Sequence, residues 1–384
     1  MKPLSDIRIL DLTRLLPGPL CTLHLADMGA DVIKIEDTKA GDYARAIPPL
    51  QKTMSVFFLA VNRNKRSVKI DLNQQKGKEI FLELARKADV IVESFRPGVM
   101  KKLGIDYETI KKINPKIVYC SITGYGQTGP YKDKAGHDLN YISYAGLLKD
   151  KNIPNFQIGD IVGGSLNAAM AILAAIIQQI KTGEGQYLDV SMLDGIVANS
   201  VVSLSHLSSK ELLGIDTSGM LNGALHCYNI YETKEGRFMA LGALEYKFWK
   251  QFCDAVEKPE WVANHILMGD ESEKMFSQLE ELFKTKTQDE WVSYFINTDC
   301  CISPVLNFDE SIQNEQVKSR DLLKKFKHEK EGEVQQFSPP VKFSNFDFQI
   351  ERHAPIHGEH SEEVLKESGF SKEEIESFRK NNII

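Results

Sequence analysis

Short apolar runs alternate with helical stretches at the start of the chain, and this alternation limits the possible folds more than any other feature. Five runs are typical of short strands: residues 7–12 (IRILDL), 31–36 (DVIKIE), 67–72 (SVKIDL), 90–93 (VIVE) and 117–122 (IVYCSI). Helical patterns lie between them, near residues 20–28 and 75–88. Strands that alternate with helices predict an α/β fold with a doubly wound, mainly parallel, Rossmann-like sheet and right-handed crossovers.

A ligand of such a sheet is expected beyond the carboxyl ends of its strands. The segments predicted to lie there are residues 15–19, 36–42, 94–98 and 123–130. The first of them reads Leu-Leu-Pro-Gly-Pro, where a dinucleotide fingerprint would need G-x-G-x-x-G. We therefore expect a nucleotide-containing ligand but disfavour a nicotinamide dehydrogenase.

Charge and hydropathy patterning exclude several classes of partner. The net charge is −6 and no Lys/Arg block is present, which argues against nucleic acid. The longest apolar run, about residues 168–180, is interrupted by Gln178 and Gln179 and predicts a buried helix rather than a membrane span. No signal-peptide core is visible, and the six cysteines lack CxxC spacing, so we expect reduced thiols in a cytoplasmic protein without a membrane partner.

Two glycine-preceded polar residues are the candidates for chemistry. His137 follows Gly136, and Asp160 follows Gly159, with an apolar helix expected soon after Asp160. A base and an acid beside the free N–H groups of a helix start suit proton abstraction next to a carbonyl, with those N–H groups holding the enolate oxygen. Taken as single residues, His137 is more typical of a loop histidine bonded to a carbonyl, and Asp160 of a helix N-cap.

Weaker patterns mark the rest of the chain. Residues 228–231 and 238–241 predict a hairpin, 301–306 a strand, 329–340 a polar linker, and the capping box at Ser371 a short surface helix. His353, His357 and His360 have a spacing compatible with a metal site, but we favour a structural segment and predict no metal.

Several motifs together resemble family III coenzyme A transferases, the CaiB/BaiF superfamily, and most closely their α-methylacyl-CoA racemase branch. The motifs are residues 9–12, 17–19, 25–30, 64–67, 95–100, 124–129, 135–138, 182–186 and 358–361. The resemblance covers nearly the whole chain.

The resemblance implies a two-domain subunit in an interlocked homodimer, with active sites at the interface. It implies a large CoA-binding domain from residues 1–190 and 335–384, and linker helices over 191–227. Residues 228–334 would form a smaller α+β domain and a return linker. An acyl-CoA would be the substrate.

Two activities occur in families of this kind, and the resemblance separates them by residue. Asp160 stands where transferases carry a nucleophile that forms an acyl-enzyme and racemases a proton carrier. His137 matches the racemase histidine, and Glu245 lies in a segment, residues 241–245, that resembles the racemase Gly-x-x-Glu. The resemblance thus implies epimerisation of 2-methylacyl-CoA thioesters by His137 and Asp160 with Glu245 as an orienting group. The alternative is a CoA transferase acting through an Asp160 acyl-enzyme.

No metal or redox cofactor is required for either reaction, because coenzyme A is part of the substrate. The resemblance implies a coenzyme A site formed by Leu16, Arg45, Ile70, Asp71, Leu72, Asn73, Ser94, Phe95, Arg96, Lys102, Gly136, Asp138 and Tyr141. One position departs from the pattern. Racemases often carry a basic residue shortly after the second strand, where this chain has Asp37, so Lys39 or Arg45 is expected to contact phosphate instead.

Overall fold

The computed structural model describes residues 2–148, 151–214, 216–267 and 270–384. The chain forms two compact units. The first contains Met1–Asn199 and Arg320–Ile384, and the second contains Ser200–Ser319.

A six-stranded sheet is the centre of the first unit. Its strands are β1 (Arg8–Asp11), β2 (Asp31–Glu36), β3 (Lys65–Lys69), β4 (Val90–Glu93), β5 (Val118–Thr123) and β6 (Tyr187–Ser191). They pair in parallel in the order β3-β2-β1-β4-β5-β6. This is the doubly wound order in which the connection reverses between β1 and β4. The predicted α/β fold with a mainly parallel sheet is confirmed.

Helices cover both faces of this sheet. They are α1 (Pro17–Asp27), α2 (Val56–Val61), α3 (Gln75–Arg86), α4 (Val99–Leu103), α5 (Tyr107–Ile113), α6 (Asp138–Tyr144), α7 (Asn167–Thr182) and α8 (Met192–Asn199). One buried cluster joins α1, α6, α7 and α8 to one face, and a second joins α3, α4 and α5 to the other. Because neighbouring side chains on a strand point to opposite faces, β1, β2, β4 and β5 each contribute to both clusters.

The helix that carries the longest apolar run is longer than the sequence indicated. A π-helical segment, Gly159–Leu166, continues directly into α7. The combined helix, Gly159–Thr182, has 24 residues and is long and apolar enough to cross a membrane by length and composition alone. Its inner face, including Ala168, Ile172 and Ile176, is buried against the sheet, as expected of a core helix.

The second unit has its own sheet and aromatic core. Strands β7 (Tyr228–Glu232), β8 (Phe238–Gly242) and β9 (Ile302–Pro304) pair antiparallel, which confirms the predicted hairpin and the later strand. The helices are α9 (Val201–Leu213), α10 (Tyr246–Ala255), α11 (Asp270–Phe283), α12 (Gln288–Tyr294), α13 (Phe308–Ser311) and α14 (Glu315–Ser319). The core of this unit contains the aromatic rings of Trp249, Phe252, Phe283 and Trp291, of which the first three stack in sequence and the last lies tilted against Phe283.

The chain then returns to the first unit through a hairpin of β10 (Leu323–His328) and β11 (Gly332–Phe337). The predicted polar linker over residues 329–340 is therefore wrong over the part that forms β11. Helices α15 (Ser361–Glu367) and α16 (Lys372–Lys380) end the chain, and α16 begins at the predicted Ser371 capping box. The observed units place residues 191–199 and 320–334 with the sheet, whereas the predicted boundaries assigned them to the linker helices and the small domain.

Candidate active site

The loop before α6 presents His137 at the surface. Tyr141 Oη donates a hydrogen bond of 2.6 Å to the carbonyl of Gly136. Gly136 lies so close to the aromatic rings that a Cβ there would be 2.7 Å from Tyr141 Cε1 and 2.9 Å from Tyr125 Oη. The His137 N–H donates to Asn140 Oδ1 (3.1 Å) and fixes the first turn of α6. The imidazole of His137 is thus exposed on a rigid backbone.

Asp138 joins this loop to Asp160. Its Oδ1 accepts hydrogen bonds from the backbone N–H of Gly159 (2.6 Å) and of Asp160 (3.1 Å). A Cβ at Gly159 would lie 3.0 Å from the same oxygen, so the glycine permits this close contact. Asp138 therefore holds the His137 and Asp160 segments together. The sequence had assigned it only to coenzyme A binding.

The carboxyl group of Asp160 has a raised pKa. Burial and, after it, the negative charge of Asp138 together raise this pKa to about 6, although the charge of His137 opposes the rise. A pKa near neutrality lets the group donate and accept a proton under ordinary conditions. The charge of His137 acts on Asp160 because the Asp138 hydrogen bonds hold the segments that carry the two predicted residues side by side.

Two expectations about this helix start are corrected. Asp160 is not the N-cap, because Ile158 occupies that position and Asp160 lies inside the first turn. The first amides are also engaged: Asp138 accepts from Gly159 and Asp160, and Ile161 N–H donates to Gln157 O (2.9 Å). These donors are therefore not available to hold an enolate oxygen, as the sequence had suggested.

Glu245 belongs to the second unit. It lies between β8 and α10, where it is the N-cap residue of α10, and it is exposed. Its negative charge raises the pKa of the Cys301 thiol, although burial contributes more. Within its own unit the carboxylate is thus a surface group at the start of a helix.

Part of the predicted coenzyme A site lies where the sheet connection reverses. Leu16 directly precedes α1, and Ser94 and Phe95 follow β4. The backbone N–H of Arg14 donates to Ser94 Oγ (3.3 Å), which joins the loops after β1 and β4. In a doubly wound sheet the crevice between these loops is the expected ligand position.

Arg45 makes contacts that stabilise the fold, and these contacts would compete with its predicted phosphate binding. Its Nε and Nη2 donate to the two oxygens of Glu36 (2.8 and 2.6 Å), and Nη1 donates to Pro355 O (3.0 Å). The guanidinium also lies 3.9 Å from the centre of the Phe58 ring. The pair with Glu36 already neutralises the charge of Arg45, which makes it a weaker phosphate ligand than an unpaired arginine.

The turn after β3 divides into core and surface positions. The side chains of Ile70 and Leu72 are apolar and pack in the same cluster, so they offer no polar side-chain group to a ligand. The Asp71 carboxylate accepts from Asn73 N–H (3.0 Å) and shapes the turn. Asn73 is exposed and is the member of this group best placed to contact a ligand.

Arg96 lines a cavity that the sequence did not reveal. The cavity has a volume of about 270 Å³ and is bordered by Glu93, Ser121, Gln127 and Tyr187, among others. Burial raises the pKa of Glu93 to about 7. Lys102, which was also predicted to contact coenzyme A, lies on the exposed side of α4. Glu93 ends a hydrophobic run, and nothing in its sequence position indicates a protonatable group in a cavity.

The three C-terminal histidines contact different groups. His353 Nδ1 and His357 Nε2 lie 3.2 and 2.8 Å from the carbonyls of Ala354 and Asp37, and His360 Nδ1 accepts from Ser67 N–H (3.2 Å). Within the described ranges no three His, Cys, Asp or Glu residues are grouped so that they could hold a metal ion.

Comparison with known proteins identifies the family. The model described as CoA-transferase family III matches residues 4–361. The chain belongs to CoA-transferase family III. The relatives of this chain include CoA-transferases and racemases. Both kinds of relative are enzymes.

Two relatives of this family III protein illustrate the division. It is 34% identical to the human succinyl-CoA:glutarate CoA-transferase, over 96% of this chain and 86% of the relative. It is 32% identical to the human α-methylacyl-CoA racemase, over 99% of this chain and 97% of the relative. A crystal structure of a CaiB/BaiF family protein from Brucella suis matches with a TM-score of 0.79 and 26% identity, covering 95% of this chain and 99% of that one.

Proposed function

We propose that this family III protein is an isomerase that epimerises 2-methylacyl-CoA thioesters, converting the (2R) and (2S) forms into each other. Its substrate would be an acyl-CoA, with no further cofactor. We also propose that it acts as a homodimer in the cytoplasm.

The chemistry requires two groups that exchange protons with one carbon. One group removes the α-proton, and the C–H electron pair forms an enolate with the thioester carbonyl. The other group then donates a proton to the opposite face, the carbonyl re-forms, and the configuration is inverted. In this proposal His137 and Asp160 are base and acid, with roles that depend on the direction. Glu245 would orient them from the partner subunit.

The observation that carries the proposal is the protonatable Asp160 held next to His137. A carboxyl group with a pKa of about 6 can serve as the acid in one direction and the base in the other. A nucleophilic carboxylate would need neither the raised pKa nor a histidine beside it.

The test is isotope exchange. Incubation of a (2S)-methylacyl-CoA in deuterated water should place one deuterium at C2 and yield both epimers, as followed by mass spectrometry and chiral chromatography. His137→Gln and Asp160→Asn should each lower the rate of epimerisation by about 10³-fold or more. Asp133→Asn, in an exposed part of the same loop, is the matched control and should exchange like wild type. Absence of deuterium at C2 in the wild-type product would refute the proposal.

A CoA transferase is the second candidate, and it is favoured by the 34% identity to a succinyl-CoA:glutarate CoA-transferase. Here the Asp160 carboxylate would attack the thioester carbonyl and release CoA as thiolate, leaving a mixed anhydride. The returning thiolate would then attack the carbonyl of Asp160, release the acyl group as a free carboxylate and leave a thioester on the enzyme. Hydroxylamine added during turnover should convert Asp160 to a hydroxamate. This changes the mass of that single residue, and the epimerase mechanism does not produce such a change.

A further inference from the structure

Arg14 was not among the predicted coenzyme A residues, but it is a basic residue at the point where the sheet connection reverses. It lies just after β1, and its backbone N–H bonds to Ser94 beyond β4. Its side chain is about one quarter exposed, so it borders solvent at the carboxyl edge of the sheet. Ligands of doubly wound sheets bind at this edge.

Two aromatic rings flank the guanidinium. The Cζ atom of Arg14 lies 4.9 Å from the centre of the Tyr43 ring and 5.3 Å from that of Phe95. Tyr43 belongs to a short 3-10 turn, Tyr43–Ala46, and Phe95 follows β4. Contacts with aromatic rings limit the motion of a long side chain, so that its planar set of donors is oriented in advance.

Asp37 is the ionic partner of Arg14. Arg14 Nη2 donates to Asp37 Oδ2 over 3.1 Å. The other carboxylate oxygen, Oδ1, accepts from the backbone N–H groups of Lys39 (2.8 Å), Ala40 (3.0 Å) and Gly41 (3.2 Å). These bonds and the charge of Arg14 hold the pKa of Asp37 below its usual range, although burial opposes them. Asp37 is therefore a fixed anion next to a preoriented cation.

We propose that Arg14 binds a phosphate group of coenzyme A and that Asp37 competes with this phosphate for the guanidinium. The inference rests on the proposed acyl-CoA substrate. Of the basic residues considered for this edge, Arg45 is engaged with Glu36, and Lys39 is exposed in the turn that Asp37 organises. Arginine suits the role because its planar donors match phosphate oxygens in pairs.

Asp37 would then determine how tightly the protein binds the phosphate group of coenzyme A. An acid after the second strand of a doubly wound sheet favours ribose hydroxyls and disfavours phosphate at the same place. Because Asp37 Oδ1 is held by backbone groups, the carboxylate stays near Arg14 when a phosphate arrives. Its charge would therefore weaken phosphate binding. Removing that charge without disturbing the turn should tighten it.

The experiment measures binding of coenzyme A and of 3′-dephospho-CoA to the full chain by calorimetry. Arg14→Gln should raise the Kd for coenzyme A by about tenfold. Asp37→Asn keeps Oδ1 for the three backbone donors and removes the charge, so it should lower this Kd by about threefold or more. If Asp37→Asn increases the affinity for coenzyme A more than the affinity for 3′-dephospho-CoA, Arg14 binds the 3′-phosphate. If both affinities increase equally, Arg14 binds the diphosphate.

Arg86→Gln removes an exposed arginine paired with Glu83 on α3 and is the matched control, with an expected change below about twofold. Two results would overturn the inference. One is Arg14→Gln binding like wild type while Lys39→Gln loses affinity. The other is Asp37→Asn weakening binding as much as Arg14→Gln, with an unchanged thermal midpoint. The binding experiment needs no turnover. If the protein binds coenzyme A but does not exchange α-protons, the epimerase proposal is contradicted, and the binding data still decide the role of Arg14.

Discussion

The raised pKa of Asp160 is expected to lower the stability of the folded protein at neutral pH. Its carboxyl pKa is about 6 in the fold, against an ordinary value of 3.8. Between these values the folded protein binds more protons than the unfolded chain, so stability falls as pH rises through this window. Above about pH 6 the full cost of ionising the half-buried group is present.

Asp160→Asn should therefore stabilise the protein at pH 7.5 by about 1–2 kcal/mol, a value reduced from the full pKa shift because the side chain is partly exposed. Near pH 4 the difference should vanish. Urea unfolding at the two pH values measures it, with the exposed Asp133→Asn as a control expected to change little. A less stable Asp160→Asn protein at pH 7.5 would contradict the assignment.

At the scale of elements, buried charges hold β1, β3 and α1 together. Lys65 Nζ pairs with Asp11 Oδ2 (3.1 Å) and donates to Pro19 O (2.9 Å) and Thr22 Oγ (2.8 Å). Both charged side chains are fully buried, and Lys65 and Lys34 keep the pKa of Asp11 well below its usual range despite the opposing effect of burial.

Lys65→Met should destabilise the protein by about 3–5 kcal/mol, because it leaves the Asp11 carboxylate buried without its main partner. The matched control is Lys76→Met, which removes an exposed pair with Glu79 and should cost less than about 0.5 kcal/mol. Denaturant midpoints of the two variants give the comparison. A loss below about 1 kcal/mol for Lys65→Met would mean that the pair contributes little.

Two elements could not be predicted because tertiary contacts override local preference. Residues 159–166 contain three glycines, which disfavour a helix. They are helical because Gly163 and Gly164 allow close packing: a Cβ at Gly163 would collide with the Met192 carbonyl, and one at Gly164 would meet Pro17. In β11, buried Gln336 looks polar in sequence but donates to Leu59 O (2.8 Å) and accepts from Arg63 (2.9 Å).

At the scale of the whole molecule, the proposed dimer makes a prediction about which chain supplies Glu245. Every described residue of α9 is at least partly exposed, although the helix carries apolar side chains such as Val201, Leu204 and Leu212. Such a surface is typical of an interface with another chain. If each site combines His137 of one subunit with Glu245 of the other, mutations in different chains should complement each other.

Co-expressed His137→Gln and Glu245→Gln subunits, purified as heterodimers through two tags, should then have about half the wild-type epimerase activity. One site would carry both substitutions and the other neither. The homodimers of each variant are the controls and should be nearly inactive. Heterodimers as inactive as these homodimers would mean that both residues act from the same chain, and a monomeric wild-type protein would contradict the proposed dimer itself.

The sequence by itself determined the parallel α/β fold and the capping box at Ser371, because strand and helix periods and capping residues are local signals. Only the tertiary structure decided what the charged side chains do. Asp138 holds two distant segments, Arg45 is taken by Glu36, and Arg14 faces Asp37 across the loops after β1 and β2. These roles depend on which partners the sheet order brings within hydrogen-bonding distance, and no spacing along the chain encodes that.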